Sequence, residues 1–433
     1  MFRASDGGGA ATRSVYRHAL VRVMTPLLAP LAAGPGWSAL ALALGAVLMG
    51  WDAGPTLAQR FESARLVLDA ALPRRRRVGR TYQGFVKALA ARSGVILGAL
   101  LPRLRTLTER AAGAAWCIAG FVPIGVDGST FDAPRTIANE ALGLAGKDKC
   151  GPRMTTLLLV HLGSMLPWAW RVGGARDAER TLLRGMLDVL PARTLLVADA
   201  GFVGYDLLRT LRARGVSVLI RVGRGTRLLR ELGFSRREGG GTVYLWPDNR
   251  RATPPLTLRL IRVGSVHLIT DVTDPRRLSA RTAAELYRRR WGLEMAFRAL
   301  KQTLERRKVR SGTPAHARAE LDWAITGLWV LMLVGAGAIG AAGHAPRRLS
   351  IASALAAVRH AAHDPDARRP LHRTLRRRLR RAVLDPFRRT TGKESYRWPR
   401  KKTPPPPGMP RITTASEAQV AAAQRLRARQ LAA

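Results

Sequence analysis

The stretch "ELYRRRWGLEMAFRALKQ", residues 285–302, is rich in arginine, and its periodicity is typical of a helix. Four of its polar residues, Tyr287, Arg290, Glu294 and Lys301, are called the quartet below. At about 100° per residue, they fall within an arc of roughly 60°. An adjoining arc is apolar and consists of Leu286, Leu293, Phe297, Leu300 and Leu304. The spacing therefore predicts that the quartet lines the edge of a buried stripe, where a cleft can lie.

The charge balance points to a polyanionic partner. The chain has 433 residues, 73 Lys and Arg against 29 Asp and Glu, and a formal net charge of +44. An excess of this size, spread over the whole chain, favours nucleic acid over a membrane surface or an acidic protein. A coding bias toward Arg and Ala also contributes to it.

Cysteine usage excludes two classes of site. Cys117 and Cys150 are the only cysteines, and they have neither metal-ligand spacing nor partners for a disulfide framework. The pair indicates a reducing cytoplasm and excludes a cysteine-based zinc site.

Two apolar runs raise the question of a membrane span. Residues 323–343 carry no charge and are long enough to cross a bilayer. The run holds five glycines and follows the quartet, so a buried core helix is favoured, and a membrane protein is the alternative. Residues 38–50 are too short to span comfortably and lie too far from the start for an ordinary signal peptide.

The pattern along the chain predicts an α/β protein in five parts. Residues 1–118 alternate apolar helical patches with basic ones such as "PRRRRVGR" at 73–80, and form a helical, DNA-binding region. Residues 119–222 mix short apolar strands with helices. Residues 223–275 are strands and turns, a β-rich insertion. Residues 276–345 hold the quartet helix, which starts near Ser279, and the long apolar helix. Residues 346–433 are a basic tail with a cationic helix and a proline-rich arm at 396–412.

Three acids stand out from the background. Asp127 ends the predicted strand "PIGVDGS" before an Asp-Gly turn, Asp199 ends the strand "TLLVADAGF", and Glu294 belongs to the quartet. Carboxylate oxygens are hard ligands that suit magnesium or manganese. Two such ions, about 3.5–4 Å apart, activate an attacking water or hydroxyl and stabilise the leaving oxygen of a phosphodiester.

Each acid alone also has a structural interpretation. Asp127 can belong to a simple turn, and Asp199 can cap the helix that starts near Tyr205. Glu294 can pair with Arg290 or Arg298 at helical spacing. The combination of two strand aspartates and a helix glutamate in a basic chain favours a catalytic role over these structural ones.

These residues resemble a known family. The spacing Tyr287-x2-Arg290-x3-Glu294-x6-Lys301 matches the Y-R-E-K signature of the DDE transposases of bacterial insertion sequences, the group numbered four. "VDGS" and "ADAGF" stand where that family has its first and second catalytic aspartates. The resemblance covers roughly residues 119–315, and the arm at 396–412 is similar to the family's basic tail.

The resemblance implies roles for particular residues. Asp127, Asp199 and Glu294 would ligate two Mg²⁺ ions, for which Mn²⁺ can substitute, in a ribonuclease-H-like core. The rest of the quartet would hold phosphates of double-stranded DNA, with the arginine as a fork and the lysine as a point charge. A homodimer on DNA is implied by the family alone.

Two further DNA contacts are weighed against packing. Trp246 in "YLWPDNRR" either stacks on a flipped base or packs in its hairpin, and packing is favoured. Arg221, after "SVLI", is a candidate DNA contact with the same alternative. His161 and His316 match nothing catalytic and are expected to be structural.

The predicted function is therefore DNA transposition in the cytoplasm, without a membrane. The enzyme would cut at element ends and join 3′ hydroxyls to target DNA by in-line phosphoryl transfer. The same acids would also serve a ribonuclease-H-type nuclease without strand transfer. A third possibility is a catalytically silent, transposase-derived protein that only binds DNA.

Overall fold

The structure is a computed structural model, and it describes residues 18–73, 78–145, 150–235, 238–363, 369–385 and 408–432. Its contacts divide the chain into two compact units. The first unit consists of Met1–Trp116, Gly128–Met186 and Gly292–Leu384, and the second of Cys117–Asp127, Leu187–Trp291 and Asp385–Ala433. The arginine run at 74–77 and residues 396–407 of the predicted arm lie outside the described residues.

The first unit is mainly helical. Its helices are α1 (Ala19–Met24), α2 (Ala39–Trp51), α3 (Leu57–Ala71), α4 (Tyr82–Ala112), α5 (Glu179–Arg184), α8 (Trp291–Arg298), α9 (Pro314–Gly340), α10 (Ile351–Ala362) and α11 (Arg369–Arg380). The first residue of α8, Trp291, belongs to the second unit. Serine and threonine hydroxyls cap α2, α3, α4, α9 and α10 at their first turns. Helices α1 to α4 lie in the region predicted to be helical, and α11 lies within the stretch predicted to be a cationic helix.

The strands of the first unit form its smaller layer. They are the second half of β1 (Val122–Asp132), β2 (Leu144–Ala145), β3 (Cys150–His161) and β4 (Leu166–Gly174). β3 lies between β1 and β2, and β4 also pairs with β3 in an antiparallel ladder from Met154↔Gly174 to His161↔Leu166.

The helix α9 is the centre of the first unit. Three tryptophan N–H groups tie it to its neighbours, because buried indoles need an acceptor. Trp323 donates to Ser93 Oγ at 2.8 Å, Trp329 donates to Thr108 Oγ1 at 2.9 Å, and Trp51 donates to the carbonyl of Gly327 at 2.8 Å. The core of this unit therefore joins α2, α4 and α9.

The apolar run predicted to be a core helix lies in α9. Residues 82–115 and 314–340 are each long and apolar enough to cross a membrane by length and composition. In the 314–340 helix, 78% of the apolar window is buried inside the protein, against 33% in the other. The burial of α9 confirms the prediction of a core helix.

The second unit is built on a sheet. Its elements are the first half of β1, β5 (Thr194–Ala198), α6 (Tyr205–Ala213), β6 (Ser217–Val222), β7 (Arg227–Arg230), β8 (Thr242–Leu245), β9 (Leu256–Val263), β10 (Val266–Thr270), α7 (Ala280–Arg289), β11 (Arg411–Thr414) and α12 (Glu417–Ala432). The strand order is β11-β7-β8-β9-β10-β6-β5-β1.

Both kinds of strand pairing occur in this sheet. β1, β5 and β6 run parallel, with matched pairs such as Val122↔Thr194 and Leu195↔Ser217. β6, β10, β9 and β8 pair antiparallel. The mixed α/β class is confirmed, and the strands β7 to β10 occupy the stretch predicted to be β-rich.

The helix that carries the first half of the quartet begins as predicted. Ser279 caps α7, and its hydroxyl accepts the backbone N–H of Thr282 at 3.1 Å. The expectation of one continuous helix through residue 302 is wrong. α7 ends at Arg289, α8 begins at Trp291, and residues Ala299–Thr303 form a π-helical turn. The 60° arc holds only for an ideal helix, and the unit boundary separates Tyr287 and Arg290 from Glu294 and Lys301.

The turn predicted at Asp127 and Gly128 is also absent. β1 continues as a strand from Val122 to Asp132. Its pairing with β5 ends at Gly125↔Val197, and its other neighbour in the sheet is β3. Asp127 therefore marks the place where the strand leaves one partner, and the chain does not reverse there.

Candidate active site

Asp127 and Asp199 follow neighbouring parallel strands. The last matched pair of β1 and β5 is Gly125↔Val197, and each aspartate lies two residues beyond its member of that pair. All five residues of β5 are buried, whereas both aspartates are half-buried. Equal offsets on parallel strands bring the two carboxylates to the same edge of the sheet.

An arginine neutralises this edge. Arg290 Nη1 donates to Asp127 Oδ2 at 3.1 Å, and the two side chains are only 10% and 18% exposed. Burial alone would lower the pKa of the Arg290 guanidinium, but Tyr287, Asp127 and Asp199 outweigh burial and raise it. The pair is therefore a buried ion pair that also lies in the field of the second carboxylate.

Tyr287 completes this arrangement within the second unit. The guanidinium carbon of Arg290 lies 5.6 Å from the centre of the Tyr287 ring. Three residues apart near the end of α7, the two side chains share one helix face. The first half of the quartet is therefore packed together beside Asp127, in a unit that also contains Asp199.

The backbone fixes the carboxylate of Asp199. Its Oδ1 accepts the N–H of Gly201 at 2.9 Å and caps the short helix Ala200–Phe202. Phe202 is 1% exposed and anchors that turn in the core. The predicted cap thus exists, but it belongs to this turn and not to the helix starting at Tyr205.

Glu294 lies in the first unit, on α8. It is half-buried, and its neighbours Leu293, Ala296 and Phe297 are buried. Of the two arginines weighed as its partners, Arg298 donates to Gln302 Oε1 at 2.9 Å. The side chain lies at the edge of the apolar stripe, as the spacing predicts.

Lys301 has two partners on β1 that sequence reasoning missed. Its Nζ donates to Ser129 Oγ at 2.7 Å and lies 5.0 Å from the centre of the Phe131 ring. The signal was present, because Asp127, Ser129 and Phe131 alternate along β1 and so share one face. The prediction of a turn at Gly128 concealed it.

Arg221 and Trp246 are positioned mainly by packing. Arg221 lies on β6, and its Nε is buried without a hydrogen-bond partner among the described residues. Trp246 is 3% exposed, and its indole N–H donates to the carbonyls of Thr253 at 2.8 Å and Arg250 at 3.2 Å. Arg251 covers its ring at 4.4 Å. This geometry is that of a packing tryptophan, and its contact with a base stays a prediction.

The donor chemistry of this edge suits a divalent cation. Asp127 and Asp199 offer hard oxygens, and Arg290 supplies positive charge at the same edge. Over the described ranges, no cluster of three or more His, Cys, Asp or Glu side chains is arranged to hold a metal ion. Two carboxylates with a counter-cation are therefore what the second unit presents.

A family model for the transposase DDE domain matches residues 123–330. This part of the chain is similar to the DDE domain of insertion-sequence transposases of the IS4 type. The matched range contains Asp127, Asp199 and the whole quartet. The matched range thus includes parts of both units.

Two known proteins are similar to the chain. The transposase InsG for insertion sequence element IS4 of Escherichia coli (strain K12) is 27% identical over 230 residues. That alignment covers 48% of this chain and 50% of the relative, so the match spans about half the length of each. A cryo-EM structure of the piggyBac transposase synaptic complex with hairpin DNA aligns with 88% of each chain at 11% identity and a TM-score of 0.39.

Proposed function

We propose that the protein is a DNA transposase that cuts at the ends of its element and joins the freed 3′ hydroxyls to target DNA. The observation that carries the proposal is the pair of aspartates at the ends of parallel strands β1 and β5, inside the matched DDE domain. The mixed sheet and the position of these acids support a ribonuclease-H-like core. The net charge of +44 supports double-stranded DNA as the partner.

The residues would divide the work as follows. Asp127, Asp199 and Glu294 would hold two Mg²⁺ ions, with Mn²⁺ as a substitute, since all three offer carboxylate oxygens. When bound, the ions would supply Lewis acidity for in-line phosphoryl transfer. Tyr287, Arg290 and Lys301 would hold DNA phosphates, and Arg221 and Trp246 would make further DNA contacts.

Arg290 is suited to two successive roles. Without DNA, it neutralises Asp127 through a buried ion pair. Near a phosphate, its planar fork can bind two oxygens at once, which fixes their orientation. Lys301 offers a point charge with rotatable N–H donors, which tolerates more variation in phosphate position.

The proposal extends to assembly and location. Joining two element ends requires that both be held together, and two copies of the chain on DNA would supply two such sites. The reaction would take place on cytoplasmic DNA. The helical region before residue 119 and the basic tail after residue 345 would add phosphate contacts along the DNA.

Nicking and joining of labelled end DNA by the full chain tests this function. Glu294→Gln keeps the size of the side chain but removes its charge, so nicking in Mg²⁺ should fall by several orders of magnitude. End-DNA affinity measured by filter binding in Ca²⁺ should survive. Glu285→Gln is the matched control, because Glu285 is an exposed residue of α7 that pairs with Arg289.

Four outcomes of these experiments distinguish the alternatives. Strand joining that accompanies nicking supports a transposase, whereas nicking alone supports a ribonuclease-H-type nuclease. Binding without nicking by the unmodified chain would contradict catalysis altogether. A Glu294→Gln protein that nicks at the unmodified rate would remove Glu294 from the site.

A further inference from the structure

One face of β1 presents a hydroxyl and an aromatic ring in sequence. Ser129 and Phe131 are two residues apart on the strand, so their side chains lie on the same face. Ser129 is half-buried and Phe131 is fully buried. Phe131 also contacts the ring of Phe297 with centroids 6.4 Å apart, which anchors this face to α8.

The ammonium of Lys301 is seated on this face. Its Nζ donates to Ser129 Oγ at 2.7 Å and lies 5.0 Å from the Phe131 ring centre. A hydroxyl accepts one N–H, and an aromatic face attracts the cation without using a donor. Because an ammonium has three N–H groups, two are left after the bond to Ser129.

The surroundings of Lys301 are cationic and open on one side. Lys301 lines a cleft together with three exposed cations, Arg307, Lys308 and Arg310, and one exposed carboxylate, Glu305. Burial lowers the pKa of the Lys301 ammonium. Asp132 opposes this shift, and the positive charges of Arg307 and Arg153 add to it. Such a cleft suits a phosphodiester, which would supply the negative charge that the cations share.

The backbone alone does not fix the position of this ammonium. Lys301 lies in the π-helical turn Ala299–Thr303, which Leu300 and Leu304 anchor in the core at 0% exposure. A four-carbon stem separates Nζ from this anchor and can adopt many rotamers. Contacts with Ser129 and Phe131 select one of them before any ligand arrives, which lowers the entropy lost on binding.

We propose that Ser129 is a positioning residue, which sets the Lys301 ammonium in place for a phosphate of the transposon end. The inference rests on the proposed function, because it concerns the same DNA site. It adds a residue outside the three acids and the quartet, and it gives the hydroxyl at position 129 a role in binding. Ser129 acts through Lys301 and need not touch DNA itself.

A double-mutant cycle on end-DNA binding tests the proposal. The four proteins are the unmodified full chain, Ser129→Ala, Lys301→Ala and the double variant, measured in Ca²⁺ over a range of salt. Loss of one phosphate contact should reduce the salt slope of Lys301→Ala by about 1. Ser129→Ala should weaken binding by about two- to tenfold, the factor expected for one hydrogen bond. In the Lys301→Ala background, the serine change should then have no effect, since its only route is gone.

Two control variants test whether the hydroxyl of Ser129 causes the effect. Ser129→Thr keeps the hydroxyl and should restore affinity, whereas a role in packing alone would not respond to the hydroxyl. Thr130→Ala alters the next residue of β1, which is exposed on the opposite face, and should leave binding unchanged. Equal melting temperatures of Ser129→Ala and the unmodified chain would exclude a folding defect as the cause.

The outcomes distinguish the inference from the function. If Ser129→Ala weakens binding equally with and without Lys301, the positioning role is refuted while the phosphate role of Lys301 stands. If Ser129→Ala binds like the unmodified chain, the inference fails in the same way. If Lys301→Ala changes neither affinity nor slope, the phosphate contact assigned to it under the proposed function is itself wrong.

Discussion

Replacement of Arg290 by methionine should destabilise the protein in the absence of metal and DNA. Methionine keeps an unbranched apolar stem but removes the guanidinium that donates to Asp127 at 3.1 Å. The pair is buried, with side chains 10% and 18% exposed, and Asp199 lies in the same field. Removal of one partner from a buried pair costs about 3–5 kcal/mol, because the other charge is left uncompensated. The residual exposure of Asp127 favours the lower end, about 3 kcal/mol.

Thermal melting in EDTA measures this cost. A loss of about 3 kcal/mol should lower the melting temperature by roughly 6–12 °C for a unit of 150–250 residues. Arg281→Met is the control, because Arg281 is an exposed residue of α7 and its replacement should change stability by less than about 0.5 kcal/mol. Ca²⁺ should restore part of the loss in Arg290→Met, since a divalent cation can replace the missing positive charge.

The result that refutes this reasoning is specific. An Arg290→Met protein that melts in EDTA at the temperature of the unmodified chain would show that the ion pair contributes nothing to the fold. A melting temperature that falls but does not respond to Ca²⁺ would retain the ion pair and remove the two aspartates as a cation site.

Two further substitutions test other parts of the first unit. Burial raises the pKa of Asp322 from 3.8 to about 6, although Trp170 donates a hydrogen bond to its carboxylate. The protonated group therefore stabilises the fold below pH 4, and this stability is lost as the pH rises through 6. Asp322→Asn should be more stable than the unmodified chain at pH 7, by up to about 3 kcal/mol in urea unfolding, and the gain should vanish near pH 4. A Cβ built on Gly128 overlaps the flexible carboxyl end of Glu179, which must move aside, so Gly128→Ala should cost less than about 1 kcal/mol, and Glu179→Ala in the same chain should relieve that loss in melting experiments.

Local patterns predicted much of the secondary structure near the site. The buried run before Asp199 forms β5, because Thr194 followed by four consecutive apolar residues suits a strand covered on both faces. The serine at position 279 marks the start of α7 through its hydroxyl, a signal that depends only on nearby residues. Both features are fixed within a few residues, so the sequence alone reveals them.

Features that depend on distant partners were missed. The Asp-Gly pair at 127 and 128 favours a turn locally, but β1 continues to Asp132 as a strand that has β3 as a neighbour in the sheet. Likewise, the break at Arg290 interrupts a periodic pattern that predicts one helix. There the guanidinium pairs with Asp127, which lies 163 positions away in sequence, and no local rule contains that contact.

The arginine count includes both buried residues that stabilise the fold and cations available to a partner, and composition alone cannot separate them. Arg60 is 1% exposed and donates to the carbonyl of Gly54 at 2.6 Å, and Arg306 is 3% exposed and donates to the carbonyls of Met49 at 2.8 Å and Gly50 at 3.1 Å. Met49 and Gly50 lie in the last turn of α2, where carbonyls lack intrahelical partners, and Gly54 follows that helix, so these arginines complete the fold. They add to the net charge without presenting a cation to DNA.

Two cations of the quartet, in contrast, are held in place by partners on β1. Arg290 is held by Asp127 in the second unit, and Lys301 is held by Ser129 in the first, so one strand supplies a partner to each. In both cases the partner holds the cation in position without any phosphate. A phosphate-binding site needs such prepositioned cations if it is to select the position of a phosphate and not only its charge. A single strand, β1, thus explains why the two cations of the quartet are a more specific sign of DNA chemistry than the net charge of +44.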